Sequence, residues 1–128
     1  MLFKRSEGFR YAFGEPVQAT FKILENDEAL NKEVSICEIL DISPKGIKMY
    51  TRVDLHAGRA ICPPLEIRFI LDTKIIEVRG EVMWSKPYIK GKQYGIFFNN
   101  QPLQEELIVD ELKIRRKKEI QIEKQRKK

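Results

Sequence analysis

Histidine and cysteine are scarce in this chain: His56 stands alone, and Cys37 and Cys62 are the only cysteines among 128 residues. There is no CxxC pair and no Cys/His spacing of the tetrahedral kind, which argues against a metal site. With one histidine, no GxSxG, no P-loop and no glycine-rich loop after a strand, the chain lacks a nucleophile–base set. The pairs Glu77/Glu81 and Asp54/His56 read as solvated charges. The expectation is a protein that is not an enzyme and carries neither metal nor cofactor. Long apolar runs are missing too. No segment approaches the ~18 apolar residues of a membrane span, and MLFKRSEGFR lacks the apolar core of a signal peptide. That pattern points to a cytoplasmic protein with reduced thiols and no membrane insertion.

A basic face is also missing, although the formal charge is +5. Lys113 to Lys128 holds nine Lys or Arg against two Glu, a local +7, and the other 112 residues sum to −2. The basic character is a tail, and the strands show no interleaving of Lys/Arg with aromatics, so nucleic acid is not the expected partner.

What is present is a series of short alternating segments. Residues 1–15 are polar and irregular and read as a flexible N-terminal arm. From Pro16, Val17, Ala19, Phe21 and Ile23 point one way and Gln18, Thr20 and Lys22 the other, the mark of a half-buried strand. Val34 to Leu40 is a second strand, with an apolar phase that slips between Ile36 and Cys37. Ser43-Pro44-Lys45-Gly46 is a turn, in which glycine accepts a positive φ, and Gly46 to Thr51 is a third strand. After a loop over 52–63, Leu65, Ile67, Phe69 and Leu71 alternate with Glu66, Arg68 and Ile70. Ile76, Val78, Val82 and Trp84 then share the apolar face of a fifth strand, with Gly80 in phase. Pro87 to Lys92 turns the chain, and Tyr94 to Phe98 is the last strand. Six strands at turn spacings of roughly ten residues indicate a small antiparallel barrel or sandwich.

The C-terminus changes period. Pro102 with Glu105 and Glu106 marks a helix start. Leu103, Leu107 and Leu112 recur at helical spacing, so the first three turns are expected to pack on the barrel. Beyond Arg115 the apolar stripe thins, and the helix is expected to project or fray. The expected organisation is one domain, 1–128, with an arm (1–15), a barrel (16–98) and a helix with a basic tail (102–128).

One run stands out: Asp41-Ile42-Ser43-Pro44-Lys45-Gly46, a DxSxxG at a strand–turn–strand junction. It resembles the second signature of PilZ domains. Arg10, six residues before Pro16-Val17, resembles the arginine that precedes that family's first strand. Gly80-Glu81-Val82-Met83-Trp84 followed by Tyr94-Gly95-Ile96-Phe97-Phe98 resembles its G-x-V-x-W … G-h-x-F ending, where h is apolar. The resemblance covers roughly residues 5–100. It implies a mainly β fold, a six-stranded antiparallel PilZ-like barrel with a C-terminal α-helix, in a bacterial signalling protein.

The resemblance also implies a ligand, cyclic di-GMP, with two phosphates and two guanines. Arginine suits both, since the guanidinium forks onto phosphate oxygens and stacks on purines. On this reading Arg5 and Arg10 hold phosphate and purine, and Asp41 accepts from a guanine's N–H groups. Ser43 bonds phosphate or base, Gly46 lets the backbone approach, and Trp84 offers a flat apolar wall. Asp41 and Ser43 equally suit a turn that holds its own backbone, and Trp84 equally suits the core. The family's first signature is RxxxR, whereas this chain reads K-R-x-x-x-x-R, with Ser6 four residues before Arg10 and Arg5 and Lys4 one and two places further back. Two functions are therefore carried forward. One is a cyclic di-GMP sensor that relays the messenger level to a protein partner, and the other is a PilZ protein-interaction adaptor that does not bind the nucleotide.

Overall fold

The computed structural model describes residues 10–24, 33–56 and 60–126. Six strands, β1 (Tyr11–Ile23), β2 (Ser35–Ser43), β3 (Gly46–Thr51), β4 (Leu65–Ile70), β5 (Ile75–Tyr88) and β6 (Gly91–Phe98), precede one helix, α1 (Pro102–Arg126). Every pairing is antiparallel, and the order β1-β2-β3-β6-β5-β4 closes on itself where β4 pairs with β1. The mainly β fold expected from the sequence, a six-stranded antiparallel barrel with a C-terminal helix, is the fold observed.

The alternation explains the interior. Val17, Ala19 and Phe21 of β1 face Leu65, Ile67 and Phe69 of β4, and Ile76 and Val78 of β5 continue the layer; all are buried. From the far side Tyr94 closes the core, accepting a hydrogen bond from the Leu55 N–H at 3.0 Å and donating to the Val53 carbonyl at 3.3 Å. Loop 52–63 thus buries Leu55 while the Tyr94 hydroxyl serves its backbone. Cys37 and Cys62 are not joined in a disulfide. Burial pushes the Cys37 thiol up to about 12, because a thiolate in apolar surroundings is poorly solvated.

The strands run longer than the alternation indicates. β1 begins at Tyr11, not after residue 15: Tyr11 pairs with Ile42 and Ala12 with Asp41, and the register then shifts before Val17. Gly14-Glu15-Pro16 interrupts the period and so hides the first half of the strand. Residues 11–15 belong to the barrel, and residues 1–9 of the expected arm lie outside the described residues. β2 shows no slip at Ile36, which simply faces out; its irregularity falls between Ile39 and Asp41. β5 continues through Pro87 to Tyr88, so the turn is only Ile89-Lys90, with Lys90 at φ 55°. Gly80 sits where an added Cβ would lie 2.3 Å from the Ile96 side chain, so it permits a close approach of β5 and β6.

α1 also departs from its expected pattern. Ile108 and Leu112 are buried and Leu107 is partly so, but Leu103 is 77% exposed. The helix does not end its contacts at Arg115. Arg115 donates to the Leu71 carbonyl at 2.8 Å and its guanidinium lies 5.1 Å from the centre of the Phe13 ring. Lys118 pairs with Asp72 at 2.7 Å, and the Tyr11 hydroxyl donates to Glu119. These contacts are polar or cationic, so an apolar stripe does not reveal them. Buried Glu111 accepts three N–H groups of the β4–β5 turn, from Asp72, Thr73 and Lys74, at 3.2, 2.9 and 2.9 Å. No helix among the described residues is long and apolar enough to cross a membrane.

Candidate functional site

Two bulges build the site. In a strand the facing alternates, so one extra residue turns every later side chain to the other side. At Leu40 the register of β2 on β3 shifts: Ile39 opposes Met49, yet Asp41 opposes Lys48 and Ile42 opposes Ile47. Ile42 and Ile47 fill the interior, and Asp41 and Ser43 are turned to the outer face. At Met83 the same thing happens in β5, where Val82 opposes Ile96 but Trp84 opposes Gly95. Trp84 is therefore 44% exposed on the outside and is not on the apolar face it would occupy by counting from Ile76.

These shifts align two rows across the outer surface. The registers place Asp41 beside Lys48, Lys48 beside Gly95, and Gly95 beside Trp84; the next row runs Ser43, Gly46, Phe97, Glu81. The indole lies flat over Gly95, where an added Cβ would be 2.1 Å from its Nε1. Gly46 is needed for close approach too: a Cβ there would meet the Ile96 carbonyl oxygen at 2.3 Å. Its backbone is not in the left-handed region, which corrects the turn geometry expected of it.

An open groove of about 420 Å³ follows these rows, lined by Arg10, Ser43, Lys45, Gly46, Met83, Trp84 and Phe97 among others. At its edge the Asp41 carboxylate holds two cations, Arg10 Nε at 2.7 Å and Lys48 Nζ at 3.3 Å. Asp41 is nearly buried, whereas Arg10 is about half exposed. Ser43 serves its own turn: its hydroxyl accepts from the Lys45 N–H at 3.2 Å and donates to the Gly46 carbonyl at 3.4 Å. Lys45 reaches the first turn of α1, with Nζ 3.1 Å from Glu105. The groove thus joins an aromatic and thioether wall to cations and one carboxylate, a combination suited to an anionic ligand with flat rings.

Of the residues singled out in the sequence, Arg10, Ser43, Gly46 and Trp84 line this groove and Asp41 borders it through Arg10. Arg5, like Lys4 and Ser6, lies outside the described residues. Lys45, Lys48, Met83 and Phe97 were missed. Lys48 had a signal, since it stands two residues from Gly46 on one strand and so shares its face. Phe97 had none, because it sits in a run of apolar residues whose facing only the register settles. His56 and Cys62 approach within 3.1 Å in the β3–β4 loop and are not among the groove residues. Among the described residues no cluster of three or more His, Cys, Asp or Glu could hold a metal ion.

Fold and groove together define a class: a small closed antiparallel barrel that carries an open groove on its outer wall. The model of the PilZ domain matches residues 4–113, most of the chain, and the chain belongs to the PilZ domain family. PilZ domains form a family of cyclic di-GMP-binding domains, with binding and adaptor roles. Among solved structures, the PilZ domain with c-di-GMP of YcgR from Escherichia coli is similar in fold, with a TM-score of 0.61 and 12% identity. That match covers 88% of this chain and 95% of the other. No curated protein matches the sequence.

Proposed function

We propose that this domain is a cyclic di-GMP receptor, bacterial and cytoplasmic, that reports the messenger level to a protein partner. One observation carries the reading. Residues from three separate stretches, Arg10, the Asp41–Gly46 run and Trp84, converge on one groove with a volume typical of small-molecule sites. Arg10 reaches a phosphate and stacks on a purine. Asp41 exchanges a cation for the N–H groups of a guanine, and Trp84 supplies a wall for a ring. Arg5 brings a second guanidinium from the segment that precedes β1. The solved PilZ domain with c-di-GMP supports the choice of nucleotide for this fold. Ser43 is the weakest member, because its hydroxyl is already engaged by its turn.

Calorimetric titration with cyclic di-GMP, beside GMP and cyclic di-AMP, tests the reading. Binding at micromolar Kd, about −8 kcal/mol, is expected for cyclic di-GMP alone. Arg10→Ala is expected to abolish it, Arg5→Ala to weaken it, and Ser6→Arg, which creates RxxxR, to tighten it. No heat at hundreds of micromolar ligand overturns the proposal. It would favour the second reading, an adaptor that binds a protein without the nucleotide. That reading has its own support in the Arg10–Asp41 pair, in which the arginine Nε already holds the carboxylate at 2.7 Å.

A further inference from the structure

The helix and the groove share a charge. Lys45 lines the groove, yet its Nζ lies 3.1 and 3.3 Å from the two carboxylate oxygens of Glu105 on α1. The backbone of Lys45 is fixed at both ends, because its N–H donates to Ser43 and its carbonyl accepts from Phe98 N–H at 2.8 Å. Only the side chain is free to choose a partner, and a lysine stem of four carbons rotates readily. Among the described residues the start of α1 is lightly held. Leu103 is exposed, Leu107 is only partly buried against the core, and the first fully buried apolar residue is Ile108. Ahead of them Gln101 is bonded to the backbone of Arg79 at 2.9 and 2.7 Å.

We propose that Lys45 is a phosphate-binding residue of the groove, and that a bound phosphate draws it from Glu105 and loosens the first turn of α1. This deepens the nucleotide reading and rests on it for the natural ligand. The chemistry follows from competition for one ammonium. A phosphodiester carries one full charge on two non-bridging oxygens, as the Glu105 carboxylate does, so the two anions compete for Lys45 on comparable terms, with Glu105 already favoured by its place at a helix start. By linkage the effect runs both ways: Glu105 weakens phosphate binding by as much as phosphate weakens the Lys45–Glu105 contact. The far half of the helix is fastened to the start of β1, where the Tyr11 hydroxyl donates to Glu119.

The test compares the full-length chain with Lys45→Met, Glu105→Gln and the double variant. Each is titrated by NMR with cyclic di-GMP and, separately, with inorganic pyrophosphate as a bare anion probe. Hydrogen exchange of the amides at 103–107 is read alongside, and a thermal melt confirms that each variant is folded. Glu105→Gln is expected to tighten binding about fivefold, the size of a part-exposed ion pair. Lys45→Met is expected to weaken it about tenfold, one lost charged contact, and the double variant to match Lys45→Met. Exchange at 103–107 should quicken on ligand addition in the wild type and not in Lys45→Met. If cyclic di-GMP binds and neither variant shifts its affinity, the lysine assignment is wrong and the receptor reading stands. If cyclic di-GMP fails but pyrophosphate binds with the expected order of variants, the receptor reading fails and the shared charge stands. If neither anion binds any folded variant, both fall.

Discussion

Two buried carboxylates, Asp41 on β2 and Glu111 on α1, are neutralised in opposite ways. Glu111 is held by three backbone N–H groups of the β4–β5 turn, donors that belong to the chain and cannot leave. Asp41 is held by two side-chain cations, Arg10 and Lys48, both of which reach solvent. Backbone donors fix a carboxylate permanently and make it part of the architecture. Side-chain cations can rotate away, so the same chemical group is left open to exchange. The first arrangement clamps a helix, and the second suits a ligand site.

The contrast is broken most severely by removing the clamp's whole element. Ending the chain at Pro102 removes the burial of Ile108 and Leu112, at ~1.5–3 kcal/mol each, and with it the Glu111 contacts. A loss of about 5 kcal/mol or more is expected by urea denaturation, and an unmoved midpoint would mean that α1 does not stabilise the barrel. Glu111→Ala alone is expected to lower stability by about 3 kcal/mol, since it strips three N–H groups of a charged acceptor. Asp41→Ala should do much less to the fold, within about 1 kcal/mol, because its partners are solvent-exposed cations. Cyclic di-GMP affinity is instead expected to fall at least about tenfold in the same variant. A destabilisation equal to that of Glu111→Ala would erase the distinction between the two carboxylates. Smallest of all, deleting residues 118–128 removes the Lys118–Asp72 pair and the Glu119–Tyr11 bond. A change under about 1 kcal/mol is expected, with nucleotide affinity nearly unaltered.

How far the sequence discloses this molecule depends on which side of the strand a residue faces. The interior was legible, since Val17, Ala19 and Phe21, or Leu65, Ile67 and Phe69, announce themselves by a period of two. The DxSxxG run and Arg10 were legible by their resemblance to a family. The outer face was not, because its facing depends on the extra residues at Leu40 and Met83. A bulge changes no composition, and it puts Trp84 outside where counting puts it inside. The pair Lys45–Glu105 joins residues 60 apart in the chain, and no local spacing encodes it. The reach of α1 was missed for a related reason. Past Leu112 it is fastened by Arg115, Lys118 and Glu119, residues whose charge reads as solvated until a partner is placed beside them.

The closure of the barrel is shorter than its longest strand, and that has a consequence for association. β4 covers β5 only from Ile75 to Gly80, so among the described residues Val82 to Tyr88 pairs with β6 alone. One side of that stretch is an open edge, the kind of backbone on which a strand from another chain can add. The sequence there works against it. The bulge at Met83 breaks the even spacing of donors, Lys86 sets a charge along the edge, and Pro87 has no N–H to offer. The rim of the groove thus resists templated strand addition, which leaves Trp84 and its neighbours to be engaged through their side chains.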